Sequence, residues 1–356
     1  MKEITVDELF TIKEPIIIDI RSPIEFKDGA IPGAINIPIF SNDERQEIGT
    51  IYKQQGQAAA KWRAMELVSP KIPELMRTIK AYQSGGELVV HCWRGGMRSK
   101  AVITFLEFSG IYAWRLIGGY KAYRNYILEQ LPTMLPNKAI VLHGLTGVGK
   151  TEVLKQLKKK GYPILDLEEM AGHRGSIFGT IGLSEGHNQK TFDSLLFKGL
   201  QDIQGSEYFL VEAESKRIGK AVQSEELMNS KFKGTNLYIH TPLEQRVRHL
   251  VSEYVIPYEQ EPWYYDKISV GIEKVLKRIK DAEVRKDLKE ALTDRNYPVM
   301  IKILLESYYD PRYDHARQEY EEDFIDIFAD NPLDAAQKIE AKLEELAGEA
   351  VPKALN

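Results

Sequence analysis

The sequence is short of cysteine, of long apolar runs and of net charge. Cys92 is the only cysteine in 356 residues. A single cysteine excludes an intrachain disulfide partner and any cysteine-cluster zinc site, and a free thiol fits a reducing cytoplasm, the expected location. No apolar run approaches the roughly 20 residues that cross a bilayer, so no membrane association is expected. The N-terminal MKEITVDELF lacks the basic start and apolar core of a secretory signal. A formal net charge of -4 argues against bulk attraction to nucleic acid, though a local basic face remains compatible with it. There is no internal repeat and no low-complexity tract. What is present is 43% hydrophobic and 28% charged, an ordinary globular composition in a chain long enough for two domains.

Short apolar runs alternate with helical patterns. IIIDI (16–20), ELVVH (87–91) and AWRLI (113–117) read as strands, Ser22 with Glu25 as a helix start, and AVITFLEFSG as a helix closed by Gly110. LPTMLPN (131–137) reads as a linker. KAIVLHG, YPILDL, EYFLVEAES and TNLYIH then give four more strands. From about residue 243 the pattern is helical and charged, with KVLKRIKDAEVRKDLKEAL its clearest piece. The expected class is α/β with parallel sheets: an N-terminal domain over 1–132, a P-loop α/β domain over 133–250, and a helical C-terminal region over 251–356 packed on the P-loop domain.

Two stretches carry chemistry. In VVHCWRGGMRSK, Cys92 leaves an apolar strand and meets Trp93, Arg94, Gly95, Gly96, Met97, Arg98 and Ser99. Glycines let the backbone curl round an anion, Arg94 and Arg98 add positive charge, and Ser99 is placed to cap the following helix, so Cys92 is the expected nucleophile. His-Cys, five residues, then Arg-Ser is also the spacing of a cysteine phosphatase, but no separate general-acid aspartate stands out. In HGLTGVGKTEVL, residues Gly144, Thr146, Gly147, Val148, Gly149, Lys150 and Thr151 lie in a complete G-x-x-x-x-G-K-[ST]. A strand precedes and a helix follows, as a phosphate cradle requires. Lys150 is expected on the outer phosphate and Thr151 as a candidate Mg2+ ligand. Asp166, Glu212 and Glu214 at strand ends, and His173, Arg174 and Ser176 between them, are candidates for metal or substrate support.

IIIDIRSPIEFKDGAIPGAINIP, with Asp19, Arg21 and the turn from Gly29 to Asn36, resembles the rhodanese sulfurtransferase family, as does LIGGY (116–120). The active loop departs from that pattern. Five residues separate Cys92 from Arg98 where rhodaneses have four, a wider cradle nearer phosphate size. Joined to the P-loop motif, and with RQEIGTIYKQQGQAAA, DLEEMAGHRGSIFG and FLVEAESKRIG, the whole resembles the bacterial tRNA 2-selenouridine synthase family over about residues 1 to 250. The resemblance implies two steps at a wobble 2-thiouridine: S-geranylation from geranyl diphosphate, then replacement of the geranylated sulfur by selenium from selenophosphate. Geranyl diphosphate is expected at the P-loop and selenophosphate at the Cys92 loop, with Cys92 a transient perselenide carrier. Mg2+ aside, no tightly bound cofactor is expected. The partner implied is tRNA, through its anticodon arm. Lys216, Arg217, Lys220, Arg246 and Arg248 are candidate contacts, with Lys61, Arg63 and the KVLKRIK helix behind them. Two other readings stay open: an ATP-dependent kinase fused to a sulfurtransferase, and a nucleotide-switched regulatory module.

Overall fold

The computed structural model describes residues 1–183, 186–312 and 320–348. The chain divides into two compact units, Met1–Leu131 with Asp193–Phe197 and Pro132–Phe192 with Lys198–Asn356. Residues 313–319 and 349–356 of the expected C-terminal region lie outside the described residues.

Among the described residues, the first unit holds a five-stranded sheet made of β1 (Lys2–Ile4), β2 (Ile16–Asp19), β3 (Ile35–Asn36), β4 (Leu88–His91) and β5 (Trp114–Leu116). Its order is β1-β5-β4-β2-β3 and every pairing is parallel. β4 is central and fully buried, as its unbroken Leu-Val-Val run requires of a strand covered on both faces. Its neighbours in the core include Val102, Ile103 and Leu106, one face of the helix Met97–Phe108. Ser22 and Glu25 meet as their spacing implies, the Glu25 carboxylate accepting from Ser22 N–H at 3.1 Å, with Pro23 in the first turn of the helix Pro23–Lys27. β1 and β3 are too short to stand out as apolar runs.

The second unit is built on β6 (Lys138–Gly144), β7 (Ile164–Leu165), β8 (Tyr208–Glu212), the hairpin strands β9 (Arg217–Ile218) and β10 (Ala221–Val222), β11 (Thr235–His240) and β12 (Phe324–Phe328). Its main sheet runs β12-β11-β6-β8-β7, again parallel, with β6 at the centre. The region from 251 onward is not wholly helical. β12 pairs along β11, and the helix Pro332–Gly348 places Ala335, Ala336, Ile339 and Leu343 in the core of the P-loop sheet. KVLKRIKDAEVRKDLKEAL is not one helix either. Tyr264–Leu276 ends three residues into it, and Asp281 caps Ala282–Thr293 by accepting from the N–H groups of Glu283 and Val284. A second apolar cluster joins Val255, Tyr264, Ile268, Met300, Ile301 and Leu304 of the C-terminal helices to Ile181. No helix among the described residues is long and apolar enough to cross a membrane.

Candidate active site

In the first unit, β4 delivers Cys92 to a loop that ends at the helix Met97–Phe108. The loop is fixed from below by backbone. The N–H groups of Tyr120 and Lys121 donate to the carbonyls of Cys92 and Trp93 at 2.9 Å each, and the Arg115 guanidinium donates to the carbonyl of Gly95. A Cβ on Gly119, which has φ +58°, would lie 2.2 Å from the Cys92 carbonyl oxygen, so only glycine allows this approach. Asp19 and Arg21, both buried, form a bidentate pair, and the Arg21 guanidinium lies 4.1 Å from the Tyr120 ring and 5.8 Å from the Trp93 ring.

Cys92 is buried, its Sγ 3.4 Å from Ser99 Oγ. Ser99 is not the helix cap. Gly96 holds that position, and Ser99 sits inside the first turn, donating to the Gly96 carbonyl at 3.1 Å. Arg98 turns toward Glu25, with N···O distances of 2.6 and 3.2 Å, and Arg45 approaches the same carboxylate at 3.5 Å. Burial opposes the charge on Glu25, but the Arg98 hydrogen bond and charge, with Ser22 N–H and Arg45, outweigh it and hold the carboxyl below its ordinary value. Arg94 is exposed and has no ion pair among the described residues. A cavity of about 450 Å³ is lined by Cys92, Trp93, Arg94, Gly96, Met97 and Arg98, and also by Arg45. Arg45 lies in the long helical stretch Asn42–Val68, too far along the chain for loop spacing to point to it.

In the second unit, β6 ends at Gly144 and the helix Lys150–Lys159 starts one loop later. Gly149 caps that helix with φ +83° and packs so near Pro332 that a Cβ would approach its ring to 2.4 Å. Val148 is buried in the core, and the Lys150 ammonium donates to the Gly144 carbonyl at 3.1 Å. The Thr151 hydroxyl lies 2.6 Å from Glu212 Oε1 and 2.9 Å from Glu168 Oε2. One oxygen from each of Glu168, Glu212 and Glu214 falls within 4.8 Å of the others.

Glu168 takes the place expected for Asp166. β7 stops at Leu165, and Asp166 caps the helix Leu167–Ala171 by accepting from Glu169 N–H at 2.8 Å, which brings Glu168 to the Thr151 hydroxyl. His173 does not line the cavity beside the P-loop. It is packed against Gly179 and Gly219. Arg174 and Ser176 do line it, Arg174 held by Glu253 at 3.0 Å and by the Ile181 carbonyl at 2.8 Å, with its guanidinium 4.9 Å from the Tyr254 ring. Behind the carboxylates, fully buried Lys231 donates to the Glu214 carbonyl at 2.6 Å, and burial lowers its ammonium to about 8. Arg246 is unavailable as a surface cation. It is buried, pairs with Asp310 at 2.7 Å and donates to the Thr146 carbonyl of the P-loop. Lys216, Arg217, Lys220 and Arg248 are exposed, Lys216 beside Glu225 at 3.2 Å.

Burial and the charge of Glu214 raise the Glu168 carboxyl to about 8, and burial with the Glu168 charge raises Glu212 well above its ordinary value. Glu212 Oε2 is buried without a partner among the described residues. An all-oxygen set of crowded carboxylates with a threonine hydroxyl fits a hard divalent cation such as Mg2+. This gives a signed expectation. Without divalent ions, folded Glu168 keeps its proton to about 8 while the unfolded chain releases it near 4.5. Stability should therefore fall as pH rises through that window. Added Mg2+ should raise the melting midpoint more at about pH 8 than at about pH 6, where it must displace protons. Equal shifts at both pH values would remove Glu168 from the metal set.

These groups belong to a cavity of about 620 Å³. One part of its wall is the P-loop with Lys150, Thr151 and the carboxylates. Another is apolar: Phe178, Ile181, Val255, Ile268, Met300, Ile301 and Leu304, with the Tyr264 ring.

Residues 137–345 match the family described as the tRNA 2-selenouridine synthase AAA domain, and residues 5–126 match the rhodanese-like domain. A tRNA 2-selenouridine synthase of Bdellovibrio bacteriovorus is 33% identical, the match covering 88% of this chain and 92% of that protein. The enzyme of the same name from Sulfurovum sp. is 32% identical, covering 92% of this chain and 94% of that one.

Proposed function

The chain belongs to the tRNA 2-selenouridine synthase family, and from that premise we propose a division of labour between its two cradles. The cavity of the second unit transfers a geranyl group from geranyl diphosphate to the sulfur of a wobble 2-thiouridine. The Cys92 loop of the first unit then exchanges the geranylated sulfur for selenium from selenophosphate. The coarser activity, that of a tRNA-modifying enzyme, follows from the family itself.

The observation that carries the proposal is the two-natured wall of the 620 Å³ cavity. A prenyl diphosphate has a highly charged head and a hydrocarbon tail. The P-loop end suits the head, and the wall drawn from the C-terminal helices suits the tail. In the first step the sulfur attacks C1 of the geranyl group, the C1–O bond breaks, and the electron pair leaves on the diphosphate. Lys150 and the N-terminal end of its helix face that developing charge. Held by Thr151, Glu168, Glu212 and Glu214, Mg2+ would supply further neutralisation of the diphosphate.

The second step is substitution at C2 of the base. Selenium in selenophosphate is already at the selenide level, so storing it on Cys92 as a perselenide would need a two-electron oxidant. We therefore set that expectation aside for a redox-neutral route. Cys92 Sγ attacks C2 and geranylthiolate leaves. The selenium of selenophosphate then displaces Cys92, and water cleaves the Se–P bond to release phosphate. Arg94, Arg98 and Arg45 line the cavity beside the thiol and suit the phosphate group.

Met300→Trp tests the first half. Its bulk fills the apolar wall, and displacing even two methylenes from burial, at roughly 0.8 kcal/mol each, should raise the KM for geranyl diphosphate about tenfold or more. Inhibition by inorganic diphosphate, which lacks a tail, should not change. A KM equal to wild type would place the hydrocarbon chain elsewhere.

A further inference from the structure

We propose that residues 48–65, the middle of the long helical stretch Asn42–Val68, form a docking surface for the anticodon arm of the tRNA. The proposal rests on the tRNA function argued above. Gly56, with φ 88° and ψ 179°, breaks the stretch into two helices, and residues 52–58 on both sides of the break are all exposed.

Packing does not account for what this segment carries. Tyr52 is 57% exposed and Trp62 is 66% exposed, large rings facing solvent where a structural helix would place polar groups. Residues 48–65 contain Lys53, Lys61 and Arg63 but no aspartate or glutamate, in a chain whose net charge is -4. Arg63 is engaged by Glu47 at 2.5 Å and Glu66 at 2.9 Å. Lys53 and Lys61 are exposed and have no ion pair among the described residues. Gln54, Gln55 and Gln57 add amides that both donate and accept.

Exposed rings for stacking unpaired bases, lysines for phosphates and amides for base edges are the groups that recognise single-stranded RNA. The helical stretch that carries the segment also starts at the proposed second active site. Arg45, in its first turns, lines the cavity that holds Cys92. At 1.5 Å per residue, Tyr52 lies about 10 Å further along the helix axis. A loop stacked on Tyr52 and Trp62 therefore has a short path for handing its wobble base to the thiol.

The test is binding of a fluorescein-labelled anticodon stem-loop carrying 2-thiouridine to the full chain, followed by anisotropy across a salt series. Trp62→Ala and Tyr52→Ala should each weaken binding about tenfold, the usual size of a lost base stack. Trp62→Phe, which keeps a ring, should retain most of the affinity. Lys53→Ala with Lys61→Ala should flatten the salt slope by about two units, one per lost phosphate contact. Phe108→Ala removes a ring that is 93% exposed elsewhere on the same unit and should change neither quantity. Failure of the wild-type chain to bind this RNA would refute the tRNA function itself. Wild-type binding with unchanged affinity and salt slope in all the segment variants would overturn the docking surface alone and move the RNA to the exposed Lys216, Arg217 and Lys220 cluster.

Discussion

Lys150→Ala should abolish geranylation of a 2-thiouridine tRNA while leaving selenium insertion intact on a tRNA that is already geranylated. Lys150 opens the helix that follows the P-loop and lines the cavity with Thr151 and the carboxylates. As the C1–O bond breaks, one further unit of negative charge develops on a leaving group that is already anionic. A positioned ammonium in a water-poor cradle opposes that charge with no reorganisation at the moment of reaction. Removing one such contact typically costs on the order of a hundredfold or more in rate. The side chain also donates to the Gly144 carbonyl, so a change in loop shape could imitate the electrostatic loss. Lys150→Arg separates the two. It keeps the charge and should recover part of the rate, whereas an uncharged isostere such as Lys150→Met should not.

Cys92→Ser should show the opposite pattern, with geranylated tRNA accumulating and 2-selenouridine absent. The thiol is buried beside Ser99, so a serine of nearly the same shape fits without disturbing the loop. The hydroxyl is a far weaker nucleophile at C2 and, once attached, a poorer leaving group for selenium to displace. Loss of turnover to background is therefore expected in the second step, with the first at the wild-type rate. A covalent Cys92–tRNA adduct, trapped by withholding selenophosphate and digested for mass spectrometry, would identify the attacking atom. A variant that makes 2-selenouridine at full rate would reduce the cysteine to part of an anion cradle.

The two loops were legible in the sequence because their chemistry is local. Each is a buried strand, a turn rich in glycine and a helix start within about a dozen residues. Gly147 and Gly149 take the positive φ angles of 87° and 83° that such a turn needs. The parallel α/β class was legible from the alternation of runs. What escaped depends on distance or on ambiguity of pattern. Arg45 reaches the Cys92 cavity from a helix far back in the chain. Glu168 is hidden behind Asp166, which the strand end favours, because nothing in YPILDL reveals that the strand stops at Leu165 and that Asp166 caps a helix. The apolar wall was invisible for another reason. Tyr264 and Ile268, or Met300, Ile301 and Leu304, recur at helical spacing, and that pattern reads the same whether the face meets a core or a ligand. Arg246 departs in the other direction: a cation in a charged run reads as solvated, whereas this one is buried against Asp310 and the P-loop. β12 is five residues, FIDIF, set among acidic residues, and its place comes from pairing with β11 rather than from its own pattern.

The most direct test of the two-cradle division crosses both variants with both substrates. Lys150→Ala and Cys92→Ser proteins are each given 2-thiouridine tRNA with geranyl diphosphate and selenophosphate, and separately S-geranylated tRNA with selenophosphate alone. Nucleoside mass spectrometry reads the products. The predicted result is 2-selenouridine only from Lys150→Ala on the geranylated substrate, and S-geranylated nucleoside accumulating only from Cys92→Ser on the 2-thiouridine substrate. If Lys150→Ala blocks selenium insertion into geranylated tRNA as strongly as it blocks geranylation, one shared site performs both steps and the division is contradicted.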